Sequence, residues 1–331
     1  MDEPRFLLVR LGSMGDIIHA LPSMGALRDT FPSVRIDWIV ETKWARLLKG
    51  NPDVSEAIAF DRARPGGTAA KLRSAGYTCT IDFQALYKSA LLAFASRAPR
   101  RIGFKSSYAR EGLAAVFYTE RLNPRGPHKV DHNLTLVECA GARATKARFP
   151  LAIEADDEER VAKELSGHGI SEFFVLNPGG GWLSKRWPAA RYGELHRSLV
   201  ERFGWRGVVT YGPGEENLAR LTIFAAGKPA PFAVPLGLGP LMALLRRAKF
   251  MVSADTGPLH LASALGTPVV GLYGPTDPSR NGPFCSDDVV VRNASASVTT
   301  YNRGASYSPA MMSITVEQVQ CAVERRLGMR A

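Results

Sequence analysis

Short apolar segments that end in glycine-rich turns recur along the chain, and most of these turns lead into a helical pattern. The segments cover residues 6–9, 35–40, 57–60, 78–82, 173–176, 207–211, 250–253 and 268–273. Short, continuously apolar runs are typical of strands that are buried on both faces, and their alternation with helices is typical of a parallel sheet. The sequence therefore predicts an α/β protein with doubly wound parallel sheets.

The chain has 331 residues, about twice the length of a typical domain. An acidic run at 156–159 opens a polar helix between the two sets of strands, and we predict domains at 1–160 and 161–314. The remaining segment, 315–331, begins with a capping box, in which the Thr315 hydroxyl caps a helix and Gln318 reaches back to it. The sequence therefore predicts two α/β domains followed by a C-terminal helix.

Composition excludes several classes of protein. Hydrophobic residues make up 45% of the chain and charged residues 22%, which is ordinary for a folded protein. No apolar run approaches the ~20 residues that span a bilayer, and no secretory signal is apparent at the N-terminus. The four cysteines lack metal-ligand or redox spacing, which favours a reducing cytoplasm.

The positive charge is concentrated in the first half of the chain. The formal net charge is +11, and residues 1–150 hold 23 basic and 14 acidic residues. Such an excess serves solubility, or it attracts nucleic acid, an anionic membrane surface or an acidic substrate. The densest cluster of basic residues comprises Arg97, Arg100, Arg101, Lys105 and Arg110. These residues suit a phosphate- or carboxylate-binding pocket equally well. No helix-turn-helix pattern accompanies this cluster, so we do not expect nucleic acid as a partner.

Ligands of open parallel sheets bind beyond the carboxyl ends of the strands, which is where the glycine-rich turns fall. We therefore expect two half-sites that face each other across a cleft. In the first turn, Gly12 and Gly15 allow a tight bend and Asp16 stands at the start of a helix. Asp16 is interpreted either as a helix N-cap or as a carboxylate that acts as a general base.

Three turns of the second half indicate anion or nucleotide binding. Residues 177–181 contain three consecutive glycines, followed by Lys185 and Arg186, but no Walker motif. At 253–260 a helix begins after a strand, so its free N–H groups and the Thr256 hydroxyl form an anion site. Here Asp255 is also explained as a turn former and His260 as a core histidine. Either Glu215 or Glu216, which follow another strand, can accept hydrogen bonds from a ribose diol.

Taken together, these turns resemble glycosyltransferase family 9, the ADP-heptose:lipopolysaccharide heptosyltransferases. The similar motifs follow in order along nearly the whole chain, at 10–22, 82–90, 109–114, 128–131, 185–188, 255–260 and 273–278. The resemblance implies the GT-B architecture, in which two Rossmann-like domains face a cleft. It implies acceptor binding by the first domain, nucleotide-sugar binding by the second, and a C-terminal helix that packs back toward the first.

The resemblance also implies roles for particular residues. Asp16 is expected to be the catalytic base, Lys185 to contact the donor phosphate and Asp255 to hold a heptose hydroxyl. The other residues expected to bind the donor are Ser13, Met14, Gly15, Gly180, Gly181, Glu215, Glu216, Leu236, Thr256, Gly257 and His260. The residues expected to bind the acceptor are His19, Gln84, Lys88, Arg101 and Arg110.

The motifs are more similar to the type I enzymes, which add the first heptose to Kdo on lipid A. The implied reaction is an inverting transfer from ADP-heptose to an anionic glycolipid of the Kdo–lipid A type, by an enzyme peripheral to the cytoplasmic face of the inner membrane. The chain has no Asp-x-Asp motif, so we expect neither a metal nor a cofactor. The alternatives are another nucleotide-sugar donor, a protein acceptor, a sugar-nucleotide epimerase or a nucleic-acid-binding protein.

Overall fold

The structure is a computed structural model that describes residues 4–61, 63–143, 147–293, 299–300 and 304–329. The chain divides into two compact units, Met1–Ala152 and Ile153–Ala331. Each unit is built around one six-stranded parallel sheet with helices packed against it. The two units are described in turn.

In the first unit, the central strands are almost entirely buried, as their continuous apolar sequences predict. The strands are β1 (Arg5–Val9), β2 (Arg35–Glu41), β3 (Glu56–Phe60), β4 (Cys79–Asp82), β5 (Arg100–Phe104) and β6 (Glu120–Leu122). Strand β1 lies between β2 and β4, with Phe6 opposite Ile36 and Cys79. The strand order is β3-β2-β1-β4-β5-β6.

The helices of the first unit are short. They are α1 (Met14–Ile18), α2 (Leu21–Thr30), α3 (Pro65–Ser74), α4 (Tyr87–Ala95) and α5 (Lys129–Cys139), with 3₁₀ helices at Thr42–Leu48 and Gly112–Phe117. Helix α1 ends at Ile18, and Pro22 lies in the first turn of α2, where a proline is well tolerated.

The second unit repeats this plan. Its strands are β7 (Phe173–Asn177), β8 (Arg206–Tyr211), β9 (Phe232–Pro235), β10 (Met251–Ala254), β11 (Val269–Leu272) and β12 (Val289–Val291). Its helices are α6 (Ala155–Gly167), α7 (Ala189–Phe203), α8 (Glu216–Ala226), α9 (Leu238–Arg247), α10 (Gly257–Ala264), α11 (Pro278–Asn281), α12 (Pro309–Ser313) and α13 (Val316–Arg326), with a 3₁₀ turn at Leu183–Lys185.

The two sheets have the same topology. The second sheet runs β12-β11-β10-β7-β8-β9, which is the order of the first sheet when its strands are counted from β7. This is the doubly wound Rossmann order, and it confirms the predicted fold class for each unit. In each sheet the strand order reverses at the first strand, so a ligand crevice is expected beyond β1 and β4 in one unit and beyond β7 and β10 in the other.

The boundary between the units lies eight residues before the predicted one, at Ala152/Ile153. A boundary at 160/161 would cut α6, which packs on α9 of the second unit. Glu158 of α6 pairs with Arg246 and Arg247 at the end of α9, at 3.0 Å from Arg247 Nη2. The polar pattern of this helix showed that it begins a new segment, but not which sheet it covers.

The capping box of the terminal helix is confirmed. Thr315 Oγ1 accepts a hydrogen bond from Gln318 N at 3.2 Å, and Gln318 Oε1 accepts one from Thr315 N at 3.0 Å. Helix α13 packs on α7, β11 and β12 of the second unit. Its expected return toward the first domain stays a prediction. No helix among the described ranges is both long enough and apolar enough to cross a membrane.

Candidate active site

The turn after β1 positions Asp16 at the switch point of the first sheet. A Cβ on Gly12 would lie 2.9 Å from Trp44 Nε1, so a larger residue here would displace the Trp44 ring. Ser13 is the N-cap of α1, and Asp16 is the third helical residue. Asp16 Oδ2 accepts hydrogen bonds from Ser13 N at 3.3 Å and Ser13 Oγ at 2.9 Å. Asp16 is therefore not the N-cap itself, but its carboxylate contributes to a capping box by accepting from the backbone N–H of the N-cap Ser13.

Two cations hold the Asp16 carboxylate. Arg10 Nη2 lies 2.7 Å from Oδ2, and Lys129 Nζ lies 2.8 Å from Oδ1. Burial by itself raises the pKa of Asp16, but the charges of Arg10 and Lys129 outweigh it and hold the pKa well below its usual value. About a fifth of the side chain, 21%, stays exposed. Asp16 is thus an accessible carboxylate that remains ionised at neutral pH.

Sequence reasoning assigned no role to Arg10 or Lys129. Both lie inside motifs that carry the resemblance, at 10–22 and 128–131. Their place in these motifs is the sequence signal that could have identified them. Arg10 Nη1 also donates to Phe83 O at 2.7 Å, which fixes the guanidinium between the ends of β1 and β4. Lys129 is the first residue of α5, whose N-cap His128 accepts a hydrogen bond from Val130 N through Nδ1.

The predicted acceptor residue Gln84 joins the turns that follow β1 and β4. Its Oε1 accepts a hydrogen bond from Leu11 N at 2.8 Å. Its own backbone N–H donates to Asp82, a fully buried carboxylate whose pKa is raised by burial. At the same edge of the sheet, Lys88 Nζ lies 3.2 Å from Glu41 Oε1, at the end of β2. Gln84 and Lys88 therefore lie on the edge that carries Asp16.

The other three predicted acceptor residues differ in placement. Arg110 is exposed in the loop after β5, on the same edge of the sheet. His19 is only 3% exposed, with its ring edge-on to His128 at 5.1 Å. Arg101 is not brought to this edge, because it lies at the amino end of β5. There its guanidinium donates to the carbonyls of Ala98 and Phe117, at 2.7 and 2.9 Å.

In the second unit, Glu215 connects the turns that follow β7 and β8. Its carboxylate accepts hydrogen bonds from Gly180 N at 3.0 Å and Gly212 N at 2.9 Å. A Cβ on Gly179 would overlap this carboxylate, whereas one on Gly181 would meet no described atom within 4 Å. Glu216 is exposed, and its Oε1 accepts a hydrogen bond from Gly214 N. The two candidate ribose ligands therefore occupy different environments.

Lys185 and Asp255 form an ion pair beside the first turn of α10. Lys185 Nζ lies 2.5 Å from Asp255 Oδ2 and 4.5 Å from the centre of the Trp182 ring. His260 Nε2 lies 3.2 Å from Asp255 Oδ1, and Asn281 Nδ2 donates to Oδ2 at 3.0 Å. Burial opposes ionisation of Asp255, but His260 and Lys185 together hold its pKa far below the usual value. Explaining His260 as a core histidine and Asp255 as a turn former does not predict these contacts between the two side chains and Lys185.

The N-terminus of α10 follows β10 directly. Thr256 is the N-cap, Gly257 the first helical residue, and Thr256 Oγ1 lies 2.9 Å from Ser253 Oγ. Free N–H groups and the dipole at such a terminus favour a bound anion. Leu236, just after β9, lines a cavity of about 240 Å³ with Phe232, Val234 and Leu244. Arg160 and Glu164 of α6 also line this cavity, so its wall is part apolar and part charged.

Potential metal ligands are not gathered into one place within the described parts of the two units. Across the residues that the structure describes, no group of three or more His, Cys, Asp or Glu side chains is arranged to hold a metal ion. Positive groups at the two edges include Lys129, Lys185 and the start of α10. The expected independence of metal stays a prediction.

The family model for glycosyltransferase family 9 (heptosyltransferase) matches residues 68–310. Lipopolysaccharide heptosyltransferase 1 of Pseudomonas aeruginosa is 30% identical to the chain over 324 residues, covering 92% of the chain and 88% of that protein. Lipopolysaccharide heptosyltransferase 1 of Salmonella typhimurium is 30% identical over 306 residues, covering 85% of the chain and 91% of that protein.

Solved structures have the same fold. Escherichia coli heptosyltransferase WaaC with ADP-2-deoxy-2-fluoro heptose superposes with a TM-score of 0.75 at 26% identity, covering 97% of the chain and 99% of that structure. A family 9 glycosyl transferase from Veillonella parvula has a TM-score of 0.86 at 23% identity, covering 98% of the chain and 97% of that structure. With the two Rossmann sheets, these similarities confirm the GT-B fold class.

Proposed function

Because the chain belongs to glycosyltransferase family 9, the heptosyltransferases, we propose that it transfers a heptose from ADP-heptose to the Kdo region of the lipopolysaccharide inner core. The observation that carries this proposal is the Asp16 carboxylate, which is accessible, ionised and fixed at the switch point of a Rossmann sheet. A carboxylate held in this way is suited to accept a proton from a bound hydroxyl.

In the proposed reaction, an acceptor hydroxyl oxygen attacks the anomeric carbon of the heptose as the bond to the ADP phosphate breaks, which inverts that carbon. The hydroxyl proton passes to Asp16 and then to solvent. Because Arg10 and Lys129 lower the pKa of Asp16, the proton moves late, after the hydroxyl oxygen has begun to bond to the sugar and has become acidic. The Ser13 hydrogen bonds keep the carboxylate in one orientation.

The second unit is proposed to bind the donor. Lys185 and the N–H groups at the start of α10 stabilise the charge that develops on the leaving diphosphate. Asp255 accepts a hydrogen bond from a heptose hydroxyl, and Leu236 contacts the adenine. Of the two acids, we assign the ribose to Glu215, because it lies between the turns after β7 and β8 while Glu216 faces solvent.

We propose that no metal participates, since Lys185 and the α10 terminus supply positive charge for the leaving group. Transfer in excess EDTA is therefore expected to match transfer in Mg²⁺, within about twofold. The measurement is initial rate after dialysis against the chelator. Loss of activity in EDTA that Mg²⁺ restores would contradict this part of the proposal.

The proposed acceptor is an anionic glycolipid of the Kdo–lipid A type, met at the cytoplasmic face of the inner membrane. The acceptor carries carboxylates and phosphates, which the excess positive charge of the first half of the chain attracts. Contact with the membrane is proposed to be peripheral.

The proposed function is tested by following ADP release and product mass with purified protein and ADP-heptose. ADP is expected only when a Kdo-bearing acceptor is also present, and the acceptor is expected to gain one heptose. An altered sugar nucleotide formed without acceptor would indicate an epimerase. Release of a nucleoside diphosphate other than ADP, from a panel of nucleotide sugars, would indicate another donor.

A further inference from the structure

A contiguous apolar surface lies on the first unit, where α4 and the 3₁₀ helix Gly112–Phe117 pack side by side. We call it the α4 face. Five of its side chains are more than two-fifths exposed, namely Tyr87 (46%), Leu91 (43%), Phe94 (55%), Leu113 (72%) and Val116 (62%). Large apolar groups gathered in this way on a surface are typical of an interaction site.

The α4 face is one surface and is not part of the core. Tyr87, Leu91 and Phe94 lie four and three residues apart, on one side of the helix. Phe117 joins the two helices, with its ring 5.5 Å from that of Tyr87 and 5.6 Å from that of Phe94. The opposite side of α4 packs through Leu92 and Ala93, which belong to the buried core cluster that contains Leu7 and Val9 of β1.

Cationic residues accompany the apolar centre, and one of them lies directly against it. Residues 83–119 contain six Lys and Arg residues and one acid, Glu111, and two of the six cations are in ion pairs, Lys88 with Glu41 and Arg100 with Glu120. The Arg101 guanidinium lies over the Phe94 ring, 5.6 Å from its centre. Arg97, Lys105 and Arg110 are exposed. Glu111 accepts a hydrogen bond from Tyr87 N at 2.6 Å, so this carboxylate is tied to the start of α4.

We propose that the α4 face docks on an anionic lipid bilayer, with its aromatic and aliphatic side chains in the interface and its cations on lipid phosphates. The charge complementarity favours an anionic membrane, because an apolar centre with a cationic rim matches acyl chains below charged headgroups. The proposal rests on the proposed function, in which the acceptor is a membrane glycolipid.

The docking surface is continuous with the edge of the sheet that carries Asp16. Helix α4 begins three residues after Gln84, which accepts a hydrogen bond from Leu11 N. Glu111 N donates to Ala85 O at 3.3 Å, which ties the second half of the face to the same turn. A bilayer bound here presents the headgroup of an embedded glycolipid to that edge. Arg101, predicted to bind the acceptor, instead contributes its charge to the rim.

The test is sedimentation of the full-length protein with vesicles of phosphatidylethanolamine containing about a third phosphatidylglycerol. The double variant L113S/V116S removes the two most exposed side chains of the face. It is expected to bind these vesicles roughly tenfold more weakly, on the scale of buried apolar area. The matched control is L221S/F224S on α8 of the second unit, where Leu221 is 54% and Phe224 87% exposed. It is expected to bind like the unmodified protein.

The rim is tested separately with R97Q/K105Q. A loss of roughly fivefold per cation is expected. Binding of the unmodified protein is expected to fall in 0.5 M salt and on vesicles without phosphatidylglycerol. Equal binding to charged and uncharged vesicles, or equal losses in L113S/V116S and L221S/F224S, overturns the proposal. The proposal is also overturned if the unmodified protein is a dimer, L113S/V116S dissociates it, and vesicle binding is unchanged in this variant.

Assays with and without a membrane separate this proposal from the proposed function. L113S/V116S is expected to transfer heptose normally to a soluble Kdo acceptor without acyl chains, but slowly to one embedded in vesicles. Normal transfer to both acceptors by L113S/V116S refutes the docking surface and leaves the transfer reaction standing. Vesicle binding that depends on the face, in a protein that transfers no heptose, refutes the transfer reaction alone.

Discussion

Lys129 Nζ lies 2.8 Å from Asp16 Oδ1, although the two residues are 113 positions apart in the chain. Lys129 begins α5 and Asp16 lies in the first turn of α1, so the contact exists only because both helices start at the same edge of the sheet. With Arg10 on the other oxygen, the pair keeps the carboxylate ionised and oriented. The predictions for the first unit follow from this arrangement.

Replacing the carboxylate separates a structural role from a catalytic one. D16N is expected to lower heptose transfer at least about a hundredfold, because positioned bases contribute roughly 10²–10⁴-fold. ADP binding is expected to remain close to normal, since Lys185 and α10 bind the donor in the second unit. Initial rates and calorimetric ADP binding measure the two effects.

The matched control for D16N is S13A. It removes the hydroxyl that donates to Asp16 Oδ2 and leaves the carboxylate and the Ser13 N–H in place, so a loss of rate well below that of D16N is expected. Near-normal transfer by D16N on the acceptor would leave the base unassigned. Equal losses of rate in S13A and D16N would indicate that Asp16 only stabilises the turn after β1.

Removing the Lys129 charge is expected to change the pH profile. A nearby cation lowers a carboxyl pKa, so in K129M the Asp16 pKa rises toward its usual value. A base works only when deprotonated, so the acidic limb of kcat/KM is expected to move to higher pH. K71M is the control, because Lys71 pairs with Glu56 and does not contact Asp16. An acidic limb at the same pH in K129M and the unmodified enzyme refutes the coupling.

The Lys185–Asp255 pair allows a double-mutant test of donor binding. If Lys185 binds the diphosphate, K185M is expected to weaken ADP-heptose binding by roughly tenfold or more, the scale of a charge-assisted hydrogen bond. Adding D255N to K185M is then expected not to restore ADP-heptose binding. If Lys185 serves only to neutralise Asp255, K185M/D255N regains most of the lost affinity, and the phosphate role is refuted.

Glu215 and Glu216 form a natural matched pair. In E215Q an amide N–H₂ group would face Gly180 N or Gly212 N, two donors that now bind the carboxylate, so the turns after β7 and β8 lose their connection. ADP binding is expected to weaken by about tenfold. E216Q is expected to stay within about twofold, because Glu216 is exposed. The reverse ranking in calorimetry would assign the ribose to Glu216.

The sequence by itself determined the fold class and much of the site. Buried parallel strands must be apolar along their whole length, and turns that approach helix termini closely need glycine, so both are visible in local patterns. This is why β1, β2, β7 and β8 were predicted nearly to the residue, as was the capping box of α13. Four strands were not predicted: β6 and β12 have only three residues each, β5 begins with two arginines, and β9 ends with a proline.

Only the tertiary structure decided which distant groups meet. It paired Lys129 with Asp16, Lys185 with Asp255, and Glu215 with the backbone of Gly180. It also turned Arg101 away from the edge that carries Asp16. The physical reason is that charges interact through space, and their separation is set by strand order and helix direction. A motif specifies the turn that a side chain stands on, whereas the packed sheet specifies what that side chain contacts.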